Sequence, residues 1–322
     1  MFLIGGLFDN PWVQSVLLGL LQGLTEFLPV SSTAHMAIAP QLLFGMQDPG
    51  SAFSAIVQLG PIAAIIWYFR DDLSRYLRGI LRTGSPGNAK NDLDARLGWF
   101  TLLGTVPGCV AGFLLESKID NEFRRLTVIA VSLIVLAIIL GIAEKVGKRN
   151  KSLEEMTLGE SQVIGWAQIL SLVPGTSRSG VTITAGLFQG LERESAARFS
   201  FLLGLPFITA AGLYKLAKVI LAARKAGEMS DFVAFVGPYL LGAVVAGVFA
   251  YIVVHWFLGY MKKHNTGIFI LYRILLGIAL LLLLHFHLIK DTPRVPKGQE
   301  KPLFAQPLSG TNTPAPEPNL EP

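Results

Sequence analysis

Apolar residues come in long blocks along this chain, separated by short polar stretches. Six blocks read as near-continuous spans, at 51–69, 97–115, 126–143, 199–217, 232–257 and 267–288. Each holds roughly 20 residues, the length a helix needs to cross the hydrocarbon core of a bilayer. Two further apolar segments are interrupted by polar turns. The first starts near residue 11 and breaks at Pro29 to Thr33; the second, 161–190, breaks at Pro174 to Gly180. Irregular backbone at membrane depth survives only where protein buries it or where it lines a wet cavity. The pattern predicts an all-α polytopic membrane protein with six transmembrane helices plus two re-entrant helix-loop-helix segments.

The breaks belong to an internal repeat. At an offset of 145 or 146 residues, Pro29 and Ser32 meet Pro174 and Ser177, while Phe53-Ser54, Leu59 and Pro61 meet Phe199-Ser200, Leu205 and Pro206. Three spans lie between the two broken segments, and an odd number requires halves of opposite orientation. The expectation is one integral-membrane catalytic domain, 1–289, with inverted repeat halves of about 11–143 and 161–288. Such folds build their sites near the midplane, where the broken segments meet. From 290 to 322 the chain turns polar and Pro-rich and reads as a disordered tail.

Composition supports the membrane reading. Of 322 residues 52% are hydrophobic and 15% charged, with a mean hydropathy of +0.52; soluble domains carry about 25% charged residues. The single cysteine, Cys109, excludes an intrachain disulfide and argues against a metal–thiolate site. No Lys or Arg precedes Arg70, so a basic leader peptide is not expected. The net charge of +5 is no nucleic-acid signal, because the cations sit in loops. The loops at 70–96, 144–160, 191–198 and 258–266 are the richer in Lys and Arg, which places them in the cytoplasm and both termini outside.

Candidate chemistry sits at the two breaks. Gln22 and Glu26 are one helical turn apart, and Ser31, Ser32, Thr33 and His35 follow within the same polar cluster. An intramembrane carboxylate and imidazole are costly enough to mark a functional site. At the second break, Gly175 and Gly180 permit tight backbone geometry, and Thr176, Ser177 and Ser179 supply hydroxyls. Consecutive N–H groups ahead of a new helix make an anion-binding concavity. Arg178 adds a permanently charged fork suited to phosphate oxygens. These are the parts of a phosphoryl-transfer site, although composition alone does not separate hydrolysis from transport of an anion or lipid phosphate by the same inverted repeat.

At these motifs the chain closely resembles the undecaprenyl-diphosphate phosphatases, the bacterial bacitracin-resistance family. That family carries (Glu/Gln)-x-x-x-Glu running into FLPVSSTxH, and a second motif PGxSRSxxT. Here they stand as Gln22 and Glu26 with FLPVSSTAH, and as PGTSRSGVT from Pro174 to Thr182. ERESAARFSFLLGLP at 192–206 and YRILLG at 272–277 are also similar, and the likeness runs from about residue 11 to 288. The resemblance implies removal of the terminal phosphate from a C55 polyprenyl diphosphate to regenerate the carrier lipid of cell-wall synthesis. It further implies a bacterial plasma membrane, a site reached from the periplasmic side, and a divalent cation, Mg²⁺ or Ca²⁺.

Carried onto this chain, the resemblance makes Ser32, Glu26, His35 and Arg178 the catalytic candidates. Gln22, Ser31, Thr33, Gly175, Thr176, Ser177, Ser179 and Thr182 become the substrate-binding ones, with Glu26 as the metal ligand. Gln22 stands where many members have glutamate, which weakens the case for a two-carboxylate metal site. Ser54 stands where an acidic residue is common. The favoured scheme has Ser32 attack phosphorus while Glu26 or His35 takes its proton; metal-activated water and His35 itself stay open as nucleophiles.

Other polar residues fit bland roles. His255, His285 and His287 lie toward the ends of apolar runs and read as interfacial. Arg273, inside the last span, is as well explained by loop carbonyls as by a site role. Gln58 is placed either on the cavity wall or in ordinary packing. Gly242, Ala243, Ala246 and Gly247 suit close helix packing within the chain or between two copies in a homodimer.

Overall fold

The computed structural model describes residues 10–44, 50–121, 123, 125–227, 229–289 and 291. Its elements are helices: α1 Pro11–Thr25, α2 Ser32–Phe44, α3 Gly50–Val57, α4 Leu59–Tyr68, α5 Arg70–Thr83, α6 Leu93–Asn121, α7 Leu126–Val146, α8 Leu158–Ala167, α9 Arg178–Phe188, α10 Arg193–Ala226, α11 Met229–Lys263 and α12 Gly267–His285. Their ends follow local chemistry. Asn10 caps α1 by accepting from the Trp12 N–H at 2.9 Å, with Pro11 at the first helical position. Thr157 and Glu160 form a reciprocal capping box that starts α8.

Five helices among the described residues are long and apolar enough to cross a membrane: Leu93–Leu115 of α6, α7, and most of α10, α11 and α12. The sixth expected span, 51–69, departs from the single helix that its hydropathy predicts. It is two short helices, α3 and α4, that meet at Gln58. Pro61 explains the junction, because it has no N–H to give the Val57 carbonyl. The two broken segments appear as expected, α1–α2 and α8–α9, the latter with a 3₁₀ turn at Gln168–Leu172. The tail lies outside the described residues except Asp291, whose carboxylate accepts from the Thr127 N–H and hydroxyl at the start of α7.

The helices pack through small residues on the inside and present large apolar side chains outward, the pattern of a protein solvated by lipid. Phe113, Leu240 and Leu275 are more than half or fully half exposed. Inside, α1 and α4 both run along α11. A Cβ added to Gly60 would lie 2.8 Å from backbone atoms of Ala243 and Gly247, so only glycine admits that approach. The small residues of α11 therefore serve packing within the chain.

The four cation-rich loops meet through ion pairs and hydrogen bonds. Glu144 at the end of α7 accepts from Arg149, Arg193 and the Thr266 hydroxyl. Asp72 of α5 bridges Arg75 and Arg198, both at 2.5 Å. Lys262 reaches Glu194 at 3.1 Å. These ion pairs join helix ends that are remote in sequence and fix α5, α7, α10 and α11 to one another.

Candidate active site

Both broken segments turn in the same way. After Thr25, α1 gives way to an irregular stretch that carries Glu26 to Ser31, and α2 starts at Ser32. In the second segment the irregular stretch ends at Ser177 and α9 starts at Arg178. Ser31 and Ser177 precede the new helices and adopt positive φ, +74° and +66°, which serines rarely do; the residue that matches Ser177 is thus Ser31, one position before the Ser32 that the sequence offset pairs with it. Each hydroxyl caps its helix. Ser31 accepts from the Ala34 N–H at 3.4 Å and Ser177 from the Gly180 N–H at 3.2 Å. Each also meets a second hydroxyl two residues on, Thr33 at 3.0 Å and Ser179 at 3.2 Å.

The turns are locked together. Gly175, at φ +94°, donates its N–H to the Thr33 hydroxyl at 3.4 Å. Ser179 and Ser177 donate to the Leu28 carbonyl at 2.9 and 3.5 Å. The strongest tie comes from Arg273 on α12, which is fully buried. Its Nη1 donates to the Pro29 carbonyl at 3.5 Å, and its Nη2 to the Thr176 and Gly175 carbonyls at 2.9 and 3.3 Å. Arg273 thus bonds loop carbonyls, one of the two roles its position in the last span allowed.

Between the turns lie the candidate reacting groups. Ser32 Oγ donates to Glu26 Oε2 at 2.8 Å, and Gln22 Nε2 donates to the same oxygen at 2.8 Å. The other carboxylate oxygen lies 3.8 Å from Arg178 Nη2. Glu26 and Arg178 are both buried, with side chains 7% and 8% exposed. Arg178 Nη1 donates to the Ser200 carbonyl at 3.1 Å, and its guanidinium lies over the Phe27 ring at 5.8 Å. Its Nε and Nη2 are buried without a hydrogen-bond partner. A Cβ on Gly204 would overlap this guanidinium, so that glycine makes its room.

The expected residues divide by what they touch. Gln22, Glu26, Ser32 and Arg178 form one connected group, and Ser31, Thr33, Gly175, Ser177 and Ser179 frame it. Thr176 turns away, donating to the Leu170 and Val173 carbonyls, and Thr182 bonds Ser200 Oγ at 2.7 Å behind Arg178. His35 is near but not on Ser32. Its Nδ1 meets the Ser31 carbonyl at 2.7 Å and its Nε2 meets the Tyr272 hydroxyl at 2.5 Å. Sequence reasoning missed Phe27, Ser200 and Tyr272, although Tyr272 and Arg273 stand side by side in the YRILLG stretch. His255, His285 and His287 are exposed, as interfacial positions would be.

Among the described residues no three His, Cys, Asp or Glu cluster as a metal cage. The donor set still fits a divalent cation that arrives with a diphosphate. One carboxylate plus phosphate oxygens is a common Mg²⁺ arrangement, and Glu26 has lone pairs beyond its two hydrogen bonds. Gln22 presents its N–H to Glu26, so it supports that carboxylate as a donor and adds no second charge.

A helical membrane protein with a hydroxyl, carboxylate and guanidinium grouped between two broken helices is, by fold and site, an intramembrane enzyme of the phosphoryl-transfer type or a carrier built on the same plan. The comparisons with known proteins define the family. The family described as "Bacitracin resistance protein BacA" matches residues 15–279, and the chain belongs to it. Similar proteins named "Undecaprenyl-diphosphatase" occur in Trichormus variabilis, 44% identical over 281 residues (86% of this chain, 85% of that protein), and in Myxococcus xanthus, 45% over 276 residues (84% and 89%). One from Chloroherpeton thalassium is 45% identical over 279 residues, covering 84% of this chain and 96% of that protein.

Replacing Arg273 with Met should leave the Pro29, Gly175 and Thr176 carbonyls without their donor. Hydrogen bonds to charged groups contribute about 1.5–3 kcal/mol each, so the thermal unfolding midpoint in detergent should fall clearly, and amide exchange at 30–32 and 175–178 should accelerate. Unchanged unfolding together with unchanged exchange would show that Arg273 does not hold the breaks together.

Proposed function

We propose that the chain is an undecaprenyl-diphosphatase, which hydrolyses undecaprenyl diphosphate to the monophosphate and inorganic phosphate and so recycles the cell-wall carrier lipid. The observation that carries this reading is the shared carboxylate. Glu26 accepts the Ser32 proton-bearing hydroxyl on one oxygen and faces Arg178 with the other, and Arg178 keeps two nitrogens without hydrogen-bond partners. A buried guanidinium with donors to give is suited to a phosphate.

The steps balance on these residues. Glu26 takes the Ser32 proton as Oγ bonds to the terminal phosphorus, and the bridging P–O bond breaks with its electron pair on the departing lipid monophosphate, which takes the proton from Glu26. Water then attacks the phosphoserine, giving a proton to Glu26. Phosphate leaves and Ser32 regains its proton. Arg178, with the N-termini of α2 and α9, holds the equatorial oxygens throughout. Geometry favours Glu26 over His35 as the base, because Ser32 donates to Glu26 and both His35 nitrogens have other partners. A divalent cation held by Glu26 and substrate oxygens would supply Lewis-acid stabilisation of the phosphate charge.

Phosphate release from C55 diphosphate by the purified protein tests the reading. Ser32→Ala, Glu26→Gln and Arg178→Ala should each lose activity while staying folded, with Glu26→Gln about 10²–10⁴-fold slower. Full activity in Ser32→Ala would remove the serine nucleophile. A folded wild type that binds the lipid without releasing phosphate, with cation supplied, would favour transport instead.

The cation is tested by dialysis against a chelator. Turnover should drop and return with added Mg²⁺ or Ca²⁺, whereas undiminished turnover in chelator would discard the cation.

We also infer that the halves are inverted, with the site facing the periplasm and both termini outside; the grouping of the four cation-rich loops supports this under the positive-inside rule. In a Cys109→Ser background, an impermeant thiol reagent on intact cells should label Glu317→Cys and spare Gly87→Cys. The reverse pattern would invert the topology.

A further inference from the structure

Tyr272 is assigned no part in the scheme above, yet it makes one of the best-defined contacts in the site. It lies on α12 immediately before Arg273 and is 43% exposed, on the same outward side as Leu271 and Leu275. Its hydroxyl stands 2.5 Å from His35 Nε2, and the two rings are nearly parallel, 5° apart with centroids at 5.7 Å. The opposite nitrogen, Nδ1, faces the Ser31 carbonyl at 2.7 Å. A carbonyl oxygen has no proton to give, so Nδ1 must be the donor. The neutral imidazole is then fixed as the tautomer with its proton on Nδ1, and Nε2 accepts from the phenol.

The target of that donor matters. Ser31 is the residue held at φ +74°, and it delivers Ser32 to Glu26. Strain of this kind persists only where the surroundings over-determine it. The contacts run as a single line: Tyr272 orients His35, His35 holds the Ser31 carbonyl, and Ser31 sets the position of Ser32. Because a phenol both donates and accepts, Tyr272 would keep the ring in place if His35 gained a proton. Phenylalanine would keep the stacked ring and lose the hydrogen bond.

We propose that Tyr272 is a positioning residue of the site, acting through His35 to hold the Ser31–Ser32 turn in its reactive geometry. The activity arm of its test rests on the phosphatase reading; a spectroscopic arm does not.

Tyr272→Phe should lower kcat about tenfold, the scale of one lost hydrogen bond, with KM unchanged. In the background of His35→Asn the same change should cost nothing more, since the line is already cut. In protein labelled with ¹⁵N-histidine, the signal that disappears in His35→Asn should report a protonated Nδ1 in wild type. Its Nε2 resonance should move toward that of an unbonded imine nitrogen in Tyr272→Phe. Multiplicative losses in the double variant, a change in KM alone, or a His35 signal unmoved by Tyr272→Phe would overturn the proposal. If the wild type releases no phosphate, the nitrogen signals still decide the role of Tyr272, and only the phosphatase reading falls.

Discussion

A helix that stops inside a membrane leaves carbonyls with no water to bond, and the structure depends on how those groups are satisfied. Arg273 does most of this for the two breaks at once. One side chain from the last helix serves Pro29 in the first turn and Gly175 and Thr176 in the second. Its reach requires a close approach to α9, where a Cβ on Gly180 would lie 2.6 Å from Nη1. The Ser179 and Ser177 hydroxyls donate to the Leu28 carbonyl as well. The turns are therefore bonded to each other, which constrains the site between them.

The two buried arginines divide the electrostatic work. Arg273 is engaged with carbonyl oxygens, which are neutral, and among the described residues no carboxylate pairs with it. Arg178 is paired with Glu26 at 3.8 Å, a loose contact that leaves donors facing inward. Among the described residues at the two turns, one carboxylate, Glu26, stands with two guanidiniums, Arg178 and Arg273, an excess of positive charge before any ligand binds. An unpaired buried charge is costly, and an anion entering the site lessens that cost. The same balance bears on Gln22, which is neutral. Its amide bonds Glu26 without adding negative charge that would oppose a diphosphate.

Much of this was legible from the sequence, and the reasons are local. Hydropathy located the spans, and the polar breaks with proline, glycine and hydroxyls pointed to the candidate site, because both signals come from residues near one another in the chain. The Gln22–Glu26 spacing put both on one helical face, where they are bonded. What escaped depends on distant partners. His35 is three residues from Ser32, which suggested a direct contact, but its ring is turned by the Ser31 carbonyl behind it and by Tyr272 on α12. The supporting role of Ser200 requires α10 to pass behind Arg178, which no short-range pattern encodes. The division of the 51–69 span at Gln58 carried a visible signal in Pro61, outweighed by continuous apolarity on either side.

The paired turns explain how one plan could yield a site with two different halves. Ser31 and Ser177 share a positive φ, a cap to the N–H three residues on, and a hydroxyl contact two residues on. In each case the next residue opens a helix whose N-terminus favours negative charge. That next residue is Ser32 in one half and Arg178 in the other. Two serines there would offer attack without a cation to hold the phosphate, and two arginines would repel and leave nothing to attack. Equivalent backbone positions filled by unlike side chains give a hydroxyl and a guanidinium on either side of one carboxylate. The likeness of the two turns sets where the following residues stand, and the unlike residues, Ser32 and Arg178 after the turns and Glu26 against Leu172 before them, give each half its own groups.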